Sequence, residues 1–222
     1  MSTKIDPKSD AGQKLVKKFC NYVVDLKAKH RMVKELFESE DGRRLMDATA
    51  PAFFADLGDI LIKYFLLESS KITERASSFG RENFTIAYMR ENIDWPGNAR
   101  KDIERLNRDI MAFGNHIKDA RNRVLAHLDK TTVLSGDTLG RFAEGEDDKF
   151  ISALEEMCNI LHRASFGRIF GCIVVPRPGD VLDLKAALKK GVAFKKLLED
   201  SKGNDKRRLL EYLQRECDIK SR

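Results

Sequence analysis

The stretch Arg121-Asn122-Arg123-Val124-Leu125-Ala126-His127 places a guanidinium, an amide and an imidazole within two helical turns of one another. RNA carries its own nucleophile in the 2′-hydroxyl, so side chains of these types can break a phosphodiester with no metal. An imidazole takes or gives a proton near neutral pH, which contributes about 10²–10⁴-fold in rate. A guanidinium holds two phosphate oxygens in a planar fork and stabilises charge in the transition state. The Asn122 amide can orient a phosphate or the imidazole. Arg121, Asn122 and His127 are therefore the candidate catalytic residues, and Arg123 and Lys130 are further candidates for contacts to RNA phosphates.

The element that must position them is a helix predicted from Asn98, a plausible N-cap, to about Asp129. Ile103, Leu106, Ile110, Phe113, Ile117, Ala120, Val124 and Leu128 follow one another at spacings of three and four, which makes one apolar stripe. At 100° per residue Arg121 lies on one shoulder of that stripe and His127 on the other, about 120° away. The pair cannot sit side by side on one straight helix, but both border a seam where this helix meets a partner. If the partner is the same helix of a second copy, two-fold symmetry gathers both pairs in one cleft. A homodimer with a composite site is the expectation. Near a helix C-terminus, the charged form of His127 is favoured by the helix dipole. The same residues also have a plain structural reading. Arg121 pairs with a carboxylate, His127 is satisfied at a helix end, and Asp119–Arg123 is an ordinary i,i+4 ion pair.

Helical periodicity dominates the rest of the chain. Residues 11–38 put Leu15, Phe19, Tyr22, Leu26, Val33 and Phe37 on one face. A second helix, from near Thr49 to about Ile72, has Phe53, Leu57, Ile60, Tyr64 and Leu67 on its apolar side, with Pro51 in its first turn. Residues 74–82 read as a loop and 85–93 as a short helix. Gly114 is expected to loosen the middle of the long helix. Residues 130–146 read as a loop, followed by a helix over 147–169 with Phe150, Leu154, Met157 and Leu161 inward. Ile173-Val174-Val175 is a candidate short strand. Pro176-Arg177-Pro178-Gly179 is the linker candidate, and two basic amphipathic helices follow, 181–200 and 204–217. The expected organisation is an all-α helical domain over 1–175 and a basic helical appendage over 176–222.

Charge and composition narrow the function classes. Of the 41 Lys/Arg and 35 Asp/Glu, residues 185–222 hold 12 basic and 6 acidic, so the whole excess of +6 lies in the C-terminal segment. That segment is either a phosphate-attracting flap or a solvated hairpin. No apolar run follows the charged start, and the longest apolar stretch, 60–67, is too short to span a bilayer. Cys20, Cys158, Cys172 and Cys217 form no Cys-x-x-Cys pair and read as reduced core residues of a cytoplasmic protein. No Cys/His ligand spacing points to a metal, and no Gly-rich phosphate loop or cofactor motif is present. His30 and His162 stand alone on separate helices, and His116 reads as a surface histidine.

Arg121-Asn122-x-x-x-Ala126-His127 resembles the Arg-x(4–6)-His motif of the HEPN superfamily. The wider pattern is similar to its abortive-infection U-type branch. Supporting stretches are Phe53-Phe54-x-x-Leu57, Lys71-Ile72-Thr73, Asn83-Phe84-Thr85-Ile86 and the run from Ala120 to Asp129; together the resemblance covers about residues 10–170. It implies an antiparallel HEPN-like bundle, frequent homodimers, and metal-independent endoribonuclease activity serving as a toxin or antiviral effector. Arg121 and His127 would be the catalytic pair and Asn122 the polar accessory. Expected partners are RNA, a second copy of the chain and an antitoxin protein; no cofactor and no membrane are implied. The alternative is a non-catalytic HEPN module that binds a nucleotide, RNA or a protein.

Overall fold

Long apolar-periodic segments and scarce β-branched runs produce an all-α chain. A computed structural model describes residues 4–120 and 143–217. Among them lie eight α-helices: α1 (Asp10–Val33), α2 (Glu40–Thr49), α3 (Pro51–Ile72), α4 (Ile86–Asn92), α5 (Gly97–Ala120), α6 (Glu146–Phe166), α7 (Val181–Asp200) and α8 (Gly203–Cys217). A two-stranded hairpin, β1 (Ser77–Ser78) and β2 (Arg81–Glu82), interrupts them. The chain divides into two compact units, Met1–Arg31 with Asp59–Val175, and Met32–Gly58 with Pro176–Arg222.

The first unit holds the larger core. Phe19, Cys20, Val23 and Leu26 of α1 meet Phe65 and Ile72 of α3, Ile86 and Met89 of α4, the stripe of α5, and Phe150, Leu154, Met157 and Leu161 of α6. The α5 stripe Ile103, Leu106, Ile110, Phe113 and Ile117 is buried throughout, as its spacing requires. Trp95 closes one end of this core. Its ring is buried and its indole N–H donates to the Met89 carbonyl at 2.7 Å. Helix α5 begins at Gly97, with the Arg100 N–H donating to the Pro96 carbonyl, so Asn98 lies inside the first turn rather than at the cap. Gly114 does not loosen α5. A Cβ there would come within 2.8 Å of the Thr73 Cβ, so the missing side chain lets α5 and the end of α3 approach closely.

The second unit is built on a break. After Val33 the chain makes a π-helical turn over Lys34–Glu38, and Ser39 then caps α2, its hydroxyl accepting from the Gly42 N–H at 3.0 Å. A helix over 40–49 was not expected. Its signals, a serine cap followed by Glu40 and Asp41, are short and carry few apolar residues. Leu36, Met46, Phe54 and Val181 form the small core. Helix α7 is fixed to it by charge as well. Lys185 Nζ reaches Glu35 at 2.9 Å, and Lys189 Nζ reaches Asp41 at 2.9 Å.

Two further expectations are corrected. The face of α3 with Phe53, Ile60 and Tyr64 is outward, at 63%, 61% and 41% exposure, while Phe54, Phe65, Leu66 and Ile72 are buried. Helix α3 is apolar on nearly every side, so periodicity picks out two stripes and packing decides between them. Residues 173–175 form no strand; Ile173 and Val175 are exposed and have no neighbouring strand among the described residues. No helix among the described residues is long and apolar enough to cross a membrane.

Candidate functional site

Arg121, Asn122, Arg123, His127 and Lys130 lie outside the described residues. The elements on either side of that stretch are described. Helix α5 leads into it with its stripe buried as far as Ile117, and α6 follows it, packed along α5. Phe113 of α5 and Phe150 of α6 stack with ring centroids 4.5 Å apart. A groove of about 590 Å³ runs beside this contact, lined by both helices. Its charges are largely spoken for. Arg105 pairs with Glu156 at 2.5 Å, which holds the guanidinium's pKa above its ordinary value. His116 Nδ1 lies 3.0 Å from Glu146 and the ring is exposed, which fits a surface histidine.

The described histidines sort by environment. His162 is satisfied: Nδ1 donates to the Arg168 carbonyl at 2.8 Å, and the ring packs on Phe166 at 4.4 Å. As that partner is a carbonyl, Nδ1 is the protonated nitrogen. His30 is not alone, contrary to expectation. It is buried on α1, 2.8 Å from the buried Asp147 carboxylate at the start of α6, and 3.6 Å from Asp148. One face of its ring lies against Phe65. The three ligand atoms fall within 4.8 Å of one another, so His30, Asp147 and Asp148 could hold a divalent cation. The short His30–Asp147 distance already fits a charge-assisted hydrogen bond. His30 and Asp147 are 117 positions apart, and nothing in local spacing announces the pair.

Three cysteines also meet in this unit. Cys20, Cys158 and Cys172 are free and buried. Burial pushes the Cys158 thiol well up, and its hydrogen bond to Cys172 holds the latter down. Lys27 donates to the Cys172 carbonyl at 2.9 Å and pairs with Glu155. The side chain of Cys217 lies outside the described residues.

On the other side of α5 two grooves adjoin, of about 340 and 470 Å³. Both are lined by Thr73, Glu74, Arg75 and Met111; the smaller adds Asn83, Asn115 and Lys118, and the larger adds Arg90 and Asn107. Here the stretches 71–73 and 83–86, which looked unconnected in sequence, take defined parts. The buried Thr73 hydroxyl donates to the Ser69 and Ser70 carbonyls. Asn83 closes the hairpin by donating to the Arg75 carbonyl and the Ser78 hydroxyl, and Thr85 caps α4. These residues are structural, and they shape the wall beside which α5 leads toward Arg121.

The family model of HEPN AbiU2 matches residues 12–172, which includes α1 through α6 almost whole and the Arg121–His127 stretch. No curated protein and no solved structure gives a significant match.

Proposed function

The chain belongs to the HEPN AbiU2 family, and from that premise we propose that it is a metal-independent endoribonuclease of abortive infection, a toxin or antiviral effector acting on RNA. One observation carries the reading: Arg121-Asn122-x-x-x-Ala126-His127 falls within the family match, in continuous register with a stripe that is buried as far as Ile117.

In this mechanism an imidazole of His127 takes the proton of a 2′-hydroxyl, and the freed oxygen attacks the adjacent phosphorus. The bond from phosphorus to the 5′-oxygen breaks, and that oxygen takes the proton back from the imidazolium so formed. Arg121 spans two phosphate oxygens and stabilises the charge of the pentacoordinate state. Asn122 orients the phosphate, and Arg123 and Lys130 hold the neighbouring backbone. The products are a 2′,3′-cyclic phosphate and a 5′-hydroxyl. Every proton is carried by a side chain and the nucleophile by the substrate.

Mixed RNA incubated with the full chain in EDTA is expected to be cut to fragments with cyclic phosphate ends. His127→Ala and Arg121→Ala are each expected to slow cutting, the former by about 10²–10⁴-fold. Equal cleavage by wild type and His127→Ala would sink the assignment. RNA binding without cleavage by wild type would instead give the non-catalytic module.

A further inference from the structure

We propose that Phe79 is a base-stacking residue for single-stranded RNA, with Arg75, Arg81 and Lys118 taking the adjoining phosphates. The inference rests on the RNA substrate of the preceding section and adds the part of the surface that would read an unpaired base.

The hairpin of β1 and β2 pairs Ser77 with Glu82 and Ser78 with Arg81, so its loop is Phe79-Gly80 alone. A two-residue loop with positive φ at both positions is a type I′ turn, the turn that favours Asn-Gly. Gly80, at φ 75°, meets that demand without strain. Phe79, at φ 50°, does not: it is the one described residue other than glycine with positive φ. Its side chain returns nothing to the fold, being fully exposed at 105%. Neither turn chemistry nor packing accounts for an aromatic ring here. A strained residue with an unused, solvent-facing ring points to a ligand outside the chain.

The surroundings select the ligand. Ser77, Ser78, Arg81 and Glu82 flank the ring, all exposed. Arg75 and Lys118 line the smaller groove together with Ser78, Asn83 and Asn115. None of Arg75, Arg81 and Lys118 is paired with a carboxylate among the described residues. One fully exposed ring, with the three cations Arg75, Arg81 and Lys118 outnumbering the carboxylates of Glu74 and Glu82 and with hydroxyls and amides alongside, has the makeup of a single-strand platform: the ring takes a base by its face, and the cations follow the backbone. A protein partner would want a wider apolar centre than a single ring. Duplex RNA hides its base faces and offers the ring nothing to stack on.

The test uses the full chain and a fluorescent single-stranded RNA of mixed sequence with every 2′-hydroxyl methylated, which removes the nucleophile and leaves binding measurable. Phe79→Ala is expected to weaken binding by about 5- to 150-fold, the range for loss of one stacked base. Phe79→Trp is expected to bind as tightly as the parent or tighter. A duplex of the same length is expected to be insensitive to both changes. Arg75→Ala and Arg81→Ala are each expected to lower the salt slope of single-strand binding by about 0.7. Since the ring is fully exposed, the variants should melt with the parent or above it, so lost binding is not lost folding. Unchanged single-strand affinity in Phe79→Ala overturns the proposal, and so does an equal loss on duplex, or no RNA binding by the parent. Cleavage of unmodified RNA, run in parallel, separates the two readings. Binding that depends on Phe79 without cleavage keeps this site and removes the nuclease. Cleavage at an unchanged KM in Phe79→Ala keeps the nuclease and removes this site.

Discussion

A buried imidazole set against a buried carboxylate is a costly arrangement. Taking both groups out of water costs free energy, which their contact offsets, at 2.8 Å between His30 Nε2 and Asp147 Oδ2. His30→Ala removes the α1 side of that contact and leaves a void beside Phe65. It is expected to cost about 3 kcal/mol, read from urea unfolding at neutral pH. A loss below half of that would mean that the pair contributes little to joining α1 and α6. Phe79 makes the opposite case, since its replacement should help the fold. Asn tolerates positive φ where Phe does not, so Phe79→Asn is expected to stabilise the chain by about 1 kcal/mol. A variant that melts lower than its parent would show that the ring has a packing role after all. Of these two features, neither was legible. The His30–Asp147 contact joins residues too distant for any spacing rule, and Ser78-Phe79-Gly80 reads as an unremarkable polar loop until the backbone angles are known.

At the level of helices, legibility followed the strength of the apolar contrast. Helix α5 alternates a greasy stripe with charged flanks, and its inward residues were read correctly to Ile117. Helix α6 did the same with Phe150, Leu154, Met157 and Leu161. Helix α3 lacks that contrast, and its buried side is thinned by Gly58, Ser69 and Ser70, so the exposed stripe looked the more apolar. Close approach was equally hidden, because a glycine in mid-helix reads as a weak point. Gly114→Ala tests this. Better helix propensity should contribute about 1 kcal/mol, but forcing a Cβ against Thr73 should cost about 1–3 kcal/mol. A net loss in thermal stability is expected, and a gain would show that α3 yields easily. The clamp between α2 and α7 adds a pH dependence. Hydrogen bonding and attraction from Lys189, with help from Arg44 and Lys185, hold the Asp41 carboxyl below its ordinary range. A lowered carboxylate stabilises the fold above its unfolded pKa of about 3.9 and loses that contribution as pH falls through the folded value. Wild type and Asp41→Asn should therefore differ in urea midpoint at pH 6, and the difference should shrink progressively as pH falls below about 4. A difference that stays constant through that window would exclude the carboxylate as its source.

Across the whole molecule, charge and chemistry separate. The C-terminal excess of basic residues suggested a surface for phosphate, yet Lys185 and Lys189 are engaged with Glu35 and Asp41 inside their own unit. The cations left unpaired beside α5 belong to the other unit, which is also where the family match ends, at residue 172. A segment 32–58 folded with 176–222 is a long-range pairing that helical periodicity does not encode. The proposed nuclease makes its sharpest demand at this scale. On a straight helix Arg121 and His127 point about 120° apart, so one copy cannot bring both to a single phosphate. Two-fold pairing solves this by letting the arginine of one copy work with the histidine of the other. Arg121→Ala and His127→Ala would then each be inactive alone but complementary together. Co-expressed with different tags and purified through both, the mixed dimer would have one site with both groups and one with neither, giving about half of wild-type cleavage. Recovery no greater than either parent would show that the pair acts within one chain, and a light-scattering mass of a single chain would rule out the shared cleft altogether.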